Sequence, residues 1–337
     1  MWMLLSILCL AIVHISGNNV AVIPDMAGTL DTTIYISTII AYIILGIIIA
    51  AITAWIGVRT GQDLVVVARS IYGTRGKKLL ALSLLSISIP ASALTGGYYA
   101  GEIVHQWFGL PQGLAALPCL ILFSLLAVGH SHELLKISNY IGLLLLPILM
   151  AFFFTHDSQL NSVVIKWDQV NWLLVFGLIG YNVGGMWSAL VVETAAYLSQ
   201  KGIQAILLVI LAKVVEGIFT LYMVYLVLST GAQGPLALAR VASAMGGDMM
   251  RYLFNIVLFC TFANTMAPAM LVNARQISCL TRLSFWPSLL LATSIVYVVS
   301  FLHFSFILSL MGYMAVVMIL FIIYTAYFLH KYGMNQQ

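Results

Sequence analysis

Long apolar stretches alternate with short polar punctuation along the chain, and this pattern predicts ten spans near residues 2–24, 33–57, 79–107, 111–129, 135–155, 171–198, 203–229, 251–273, 284–303 and 304–328. A membrane-spanning helix needs about 20 apolar residues, so each stretch is long enough to cross a bilayer. His303, Phe304 and Ser305 leave only a tight turn between the last two spans. The polar stretch His156 to Gln169 divides the spans into two sets of five, residues 1–155 and 171–330, within one integral membrane domain. Because five is odd, the second set enters the membrane from the opposite side. The expected fold is an all-α membrane protein whose halves are inverted repeats.

Two spans interrupt their own pattern. The first carries Ser16-Gly17-Asn18-Asn19 and then Pro24, and the sixth carries Gly180-Tyr181-Asn182-Val183-Gly184-Gly185. Each is the first span of its half, and Gly17 and Gly184 each lie roughly 20 Å from the end at which the helix enters. Unwound backbone at mid-membrane depth is tolerated where it is buried in protein or lines a cavity. Paired interruptions at corresponding positions point to a transporter's binding site. The alternative reading of such glycines is close helix packing.

Composition strengthens the membrane reading: 62% of the residues are hydrophobic and 7% charged, against about 25% charged in soluble domains. The net charge of +4 is spread singly over short loops, which excludes a nucleic-acid-binding stripe. With the amino terminus placed inside, ten loop Lys and Arg face the cytoplasm and three, Lys166, Arg240 and Arg251, face outward. Both termini are therefore expected in the cytoplasm, at the plasma membrane. Met1 to Val13 has no basic flank of the secretory kind, so it is read as part of the first span. Cys9, Cys119, Cys260 and Cys279 show no metal-ligand or disulfide spacing. No cofactor is expected.

Candidate chemistry gathers at one depth. In the eighth span, Cys260, Thr261 and Asn264 lie near the level of the two interruptions. Carbonyls freed around His14 and Gly17, with the Thr261 hydroxyl and Cys260, offer ligands to Na⁺, a hard cation that prefers oxygen. For the solute, Asn18, Asn19, Asn182, Gly184 and Asn264 offer amides and exposed backbone, and Trp187 and Tyr98 offer ring faces. Interhelical bonding by Asn264, back-bonding by Thr261 and plain packing by the rings are the competing structural roles. Lys213 and Glu216, three apart in the seventh span, share a face and can pair. They and Glu193 are candidates for proton coupling, since intramembrane charges are costly to keep. No triad, metal-binding His pair or phosphate loop appears, so no enzyme is expected.

With these residues in view, the chain resembles the nucleobase:cation symporter family, especially its cytosine-permease-like branch. Ile56-Gly57-Val58-Arg59-Thr60-Gly61, then Val67-Ala68-Arg69-Ser70-Ile71-Tyr72-Gly73-Thr74-Arg75-Gly76, is similar to the family's second-span exit and inner loop. In the eighth span Thr261 matches a hydroxyl position implied in sodium binding, and Asn264 an amide implied in substrate binding. The sixth span fits less well: Ser188-Ala189 is similar, but the acidic-x-x-Arg of many relatives is replaced by Glu193, Thr194 and Tyr197. The resemblance implies a leucine-transporter-type fold and uptake of a nucleobase-like ring by sodium or proton symport. Many relatives have twelve spans, two more than are predicted here. An amino acid or amine permease on the same fold, and a non-transporting receptor or signalling subunit, are the alternatives.

Overall fold

The computed structural model describes residues 18–128, 165–184, 191–192 and 195–332, and no strand occurs among them. An opening segment runs through a π turn (Asn18–Val22), a helical turn (Ile23–Asp25) and a 3₁₀ turn (Met26–Gly28). It is followed by α1 (Thr32–Thr60) and α2 (Leu64–Ser92), which continues through a π segment (Ala93–Tyr99) into α3 (Ala100–Phe108). Next come α4 (Gln112–Leu126), α5 (Trp172–Ile179) ending in a π turn (Gly180–Gly184), and α6 (Ile203–Thr230). The described chain closes with α7 (Ala237–Thr281), α8 (Phe285–Val299) and α9 (Phe304–Tyr332). Five of these helices are long and apolar enough to cross a membrane.

The helix ends follow from local sequence. Asp31 and Asp63 accept the Thr33 and Val66 amides at 2.9 and 2.8 Å, and Asn171 accepts that of Leu174 at 3.1 Å. Each caps a helix by satisfying an orphan backbone donor. Two expected spans prove longer than the hydropathy pattern suggests. The third begins at Leu64 rather than near residue 79, and the eighth at Ala237 rather than near residue 251. Each gains a short leading helix, set off by Gly73 (φ 68°) and by Gly246–Gly247 (φ 70° at Gly247). These short helices carry charge and fall outside an apolar window, while a left-handed backbone at glycine lets the chain turn sharply into the long helix. In both halves the order is the same: a π-turned segment, a long helix, a short helix ended at glycine, and a second long helix.

Packing places the breaks inside the bundle. The opening segment lies against α6, α7 and the π segment Ala93–Tyr99, while the π turn Gly180–Gly184 lies against α9 and α2. Val20, Ala21, Val22 and Ile23 are fully buried. The Tyr35 hydroxyl donates to the Ile23 carbonyl at 2.8 Å, supplying a partner to backbone near the break. Pro90, which has no amide hydrogen to give, precedes the π segment by three residues and marks where α2 leaves regular geometry.

Glycine lets α5 and α9 touch backbone to backbone. A Cβ on Gly177, Gly180 or Gly312 would come within 2.8 Å of the Leu308, Met311 or Leu173 carbonyl oxygen respectively. Small residues at helix contacts permit such approach in membranes, where helix association depends on close packing rather than on hydrophobic exclusion. Gly312→Val is expected to force these helices apart and destabilise the protein by roughly 1–3 kcal/mol. Thermal melting in detergent, compared with the parent protein, measures this directly; an unchanged midpoint would show that the contact tolerates bulk.

Candidate functional site

The two π turns, one in each half, meet at a single carboxylate. Glu216 is only 1% exposed, and its Oε1 accepts from Asn19 Nδ2 at 2.8 Å, Asn182 Nδ2 at 2.6 Å and Lys213 Nζ at 2.7 Å. The ammonium also donates to Oε2 at 2.8 Å, and the Tyr42 hydroxyl lies 3.3 Å from Oε1. Asn182 Nδ2 reaches the Tyr42 oxygen as well, at 2.8 Å. Lys213 and Glu216 are one turn apart on α6, Tyr42 comes from α1, and the two asparagines come from the opening segment and the turn after α5. A carboxylate that only accepts and an ammonium that only donates fit this pattern as an ion pair. Among apolar spans such a pair survives only because its remaining hydrogen-bonding capacity is also satisfied.

A second polar line joins α2 to the second half. Thr95 and the Tyr181 hydroxyl are bonded, as are Ser88 and Asn273, and Asn273 Nδ2 donates to Ser92 Oγ at 3.2 Å. Between them lies a cavity of about 40 Å³ lined by Ser88, Ser92, Thr95, Tyr181, Thr265 and Met266, among others. That is room for water. It falls far short of the roughly 300 Å³ and more typical of small-molecule sites, so the structure is closed around this point. On the same helix Thr261 Oγ donates to the Val257 carbonyl at 2.7 Å, which leaves the oxygen's lone pairs for another partner. Asn264 Oδ1 is buried without a hydrogen-bond partner among the described residues.

Larger spaces open at one end of the bundle. One, of about 300 Å³, is lined by Gly97, Tyr98, Gln112, Ser300, His303 and Phe304 among others; a second, of about 280 Å³, is lined by residues including Met26, Thr29, Asn171, Phe304 and Leu308. Phe304 borders both. Its ring lies 6.1 Å from that of Tyr98 and 6.5 Å from that of Tyr99, and the two tyrosine rings meet edge to face at 5.0 Å. The Tyr99 hydroxyl donates to Asp25 Oδ2 at 3.0 Å, tying this aromatic group to the opening segment.

The structure therefore redistributes the residues expected to read a solute together. Asn19 and Asn182 are drawn to Glu216, because an ionised carboxylate in an apolar interior takes every donor within reach. Tyr98 lines the larger end cavity, with Thr95 facing the small one. Asn18 and Gly184 lie in the two π turns. Cys260 is half-buried beside the buried Thr261. His14, Gly17, Trp187 and Glu193 fall outside the described residues. Sequence reading did not single out Tyr42, Tyr181 or Asn273 as site residues. For Asn273 the signal was present, an amide in an apolar span like that of Asn264; for the tyrosines nothing in the local pattern separates them from packing.

These elements define an all-α membrane protein in which two π turns, Asn18–Val22 and Gly180–Gly184, are buried against polar groups. The fold is similar to that of the transporter Mhp1. Mhp1 in its inward-facing conformation matches with a TM-score of 0.64 at 14% identity, covering 94% of this chain and 75% of that one. Mhp1 in a closed conformation with bromovinylhydantoin bound, described as a nucleobase-cation-symport-1 family transporter, matches with a TM-score of 0.63 at 14% identity, covering 93% and 77%. No protein-family model matches the sequence, and no curated protein does. The likeness is one of fold.

Asn182→Leu removes a donor shared by Glu216 and Tyr42 from the buried cluster. Hydrogen bonds to charged groups contribute roughly 1.5–3 kcal/mol, so the melting midpoint in detergent should fall by about 2–4 °C. A fall no larger than that of a leucine substitution on the lipid-facing surface would show that Asn182 contributes little to holding the carboxylate.

Proposed function

We propose that this chain is a secondary active transporter that imports a small organic solute, a nucleobase or related heterocycle, with Na⁺ or H⁺ as the driving ion. The observation that carries the reading is the meeting of the two π turns at one buried polar cluster, in a fold similar to that of a transporter solved with bromovinylhydantoin bound. Interrupted helices give a bundle hinges and exposed backbone at mid-depth, which is what alternating access to a central site requires. The small water-sized cavity beside Thr95 and Tyr181 then corresponds to a closed state of the path. The loop charge bias supports an orientation with both termini in the cytoplasm, and the plasma membrane is the location proposed with it.

In this reading the solute sits beside α7 with the Asn264 amide reading its polar rim and Trp187 offering a ring face, while Tyr98 borders the separate end cavity. A buried carbonyl oxygen lacking a partner, as in Asn264, is a group a solute's N–H can satisfy. The Thr261 hydroxyl, with Cys260 and backbone carbonyls around His14 and Gly17, serves as the Na⁺ site. Thr261 already spends its proton on Val257, so its oxygen keeps its lone pairs for a cation.

Uptake of labelled cytosine, adenine, a hydantoin and a panel of amino acids into proteoliposomes, with and without sodium and pH gradients, tests the assignment. Uptake of amino acids alone would move the chain to an amino acid permease, and failure of all panels in folded protein would remove the transport reading. Asn264→Ala should weaken solute uptake by about ten-fold or more, since an unmet polar group at a buried site costs roughly 1–3 kcal/mol and 1.4 kcal/mol is a factor of ten. Unchanged apparent affinity in that variant would place the solute elsewhere. Thr261→Val keeps the side chain's shape and deletes its oxygen, so the sodium concentration for half-maximal uptake should rise about ten-fold at constant solute affinity. A sodium response identical to the parent would eliminate Thr261 as a ligand.

A further inference from the structure

The cluster at Glu216 has the composition of a cation site with the cation covalently supplied. Four oxygens converge there: both carboxylate oxygens of Glu216, the Tyr42 hydroxyl and Asn19 Oδ1, which lies 3.5 Å from that hydroxyl. Oxygen atoms of carboxylate, carbonyl and hydroxyl are the ligands that hard cations take. The Lys213 ammonium contacts three of them, 2.7 and 2.8 Å from the two carboxylate oxygens and 3.5 Å from the Tyr42 oxygen, and it lies 5.3 Å from the centre of that tyrosine's ring. Asn19, Asn182 and Tyr42 are neutral, so among the described residues bonded to Glu216 Lys213 alone brings a positive charge. Its stem has a fitted passage, because a Cβ on Gly46 of α1 would stand 3.0 Å from Lys213 Cε. Held three residues from Glu216 on the same helix, this cation cannot dissociate.

We propose that Lys213 is a tethered cation occupying a monovalent-cation site built from the oxygens of Glu216, Asn19 and Tyr42, with the Asn182 amide bracing the carboxylate, so that the junction of the two π turns is held together without a mobile ion. The inference goes beyond the transport reading and depends on no particular solute. A mobile cation shared between the first and sixth helices would leave in one phase of a cycle and loosen both. Lys213 keeps that junction closed throughout, which confines ion coupling to groups elsewhere, such as those around Thr261.

The test uses the full-length purified protein in detergent and reads thermal melting, so it does not require transport. Melting is compared in choline, sodium and potassium chloride at equal ionic strength, with every variant made in a Thr261→Val background to set aside the Na⁺ site proposed above. The Thr261→Val protein, with Lys213 intact, should melt alike in all three salts. Lys213→Ala should melt lower in choline and recover by about 2–4 °C or more in sodium or potassium, because an ion that binds only the folded state stabilises it. Adding Glu216→Gln should abolish that recovery. The proposal is overturned if folded Lys213→Ala is indifferent to the cation, if its recovery persists with Glu216→Gln, or if the protein with Lys213 intact shows a cation response that Glu216→Gln removes. Should Lys213→Ala not fold in any salt, Lys213→Met and Lys213→Met/Glu216→Gln decide by their yield of folded, monodisperse protein. Recovery in the double variant is expected, and a double variant no better than Lys213→Met alone would show that Lys213 is not there to balance the carboxylate.

Discussion

The polar cluster that joins the two π turns to α6 answers to the burial of one carboxylate. Glu216 sits on an apolar helix at 1% exposure, where an unpaired charge would cost several kcal/mol. Pairing with Lys213 one turn away settles the charge, but an ion pair in a dry interior still needs its remaining lone pairs met. Asn19 and Asn182 meet them, and each belongs to a stretch that has left regular helical geometry. The same interaction thus neutralises the site and pins the two interrupted segments, one from each half of the chain, to α6.

Around that centre the helices are free to approach because their contact faces are small. Gly177, Gly180 and Gly312 bring the α5 and α9 backbones together, and Gly46 gives the Lys213 stem its channel. Hydroxyl and amide pairs, such as Ser88 with Asn273 and Thr95 with Tyr181, then fix α2 against the second half. Small residues and polar pairs act as one device, since close approach is what brings short side chains within bonding reach. The spaces that remain are uneven: water-sized near Thr95, and large enough for a small molecule on either side of Phe304.

How much was legible beforehand differs by residue. The spans from residue 33 to 57 and from 203 to 229 agree closely with α1 and α6, because a continuous apolar run has no other stable form in a bilayer. The leading helices at Leu64 and Ala237 were hidden, since their charge masks them in hydropathy and their glycine turns read as ordinary loops. Lys213 and Glu216 announced their pairing by spacing alone. Asn19 and Asn182 announced polarity at the right depth but not their partner.

The sequence by itself determined an all-α membrane bundle and the presence of an intramembrane charge pair, and it pointed to irregular backbone around Asn19 and Asn182, because each of these follows from local composition and from the bilayer's intolerance of unpaired backbone and charge. Only the tertiary structure decided that Asn19 and Asn182 serve Glu216, that Tyr42 joins them and that Tyr98 faces a separate cavity. Those outcomes depend on which side chains from distant segments arrive within about 3 Å of one another. Hydrogen bonding selects over that distance, and no spacing along the chain encodes it.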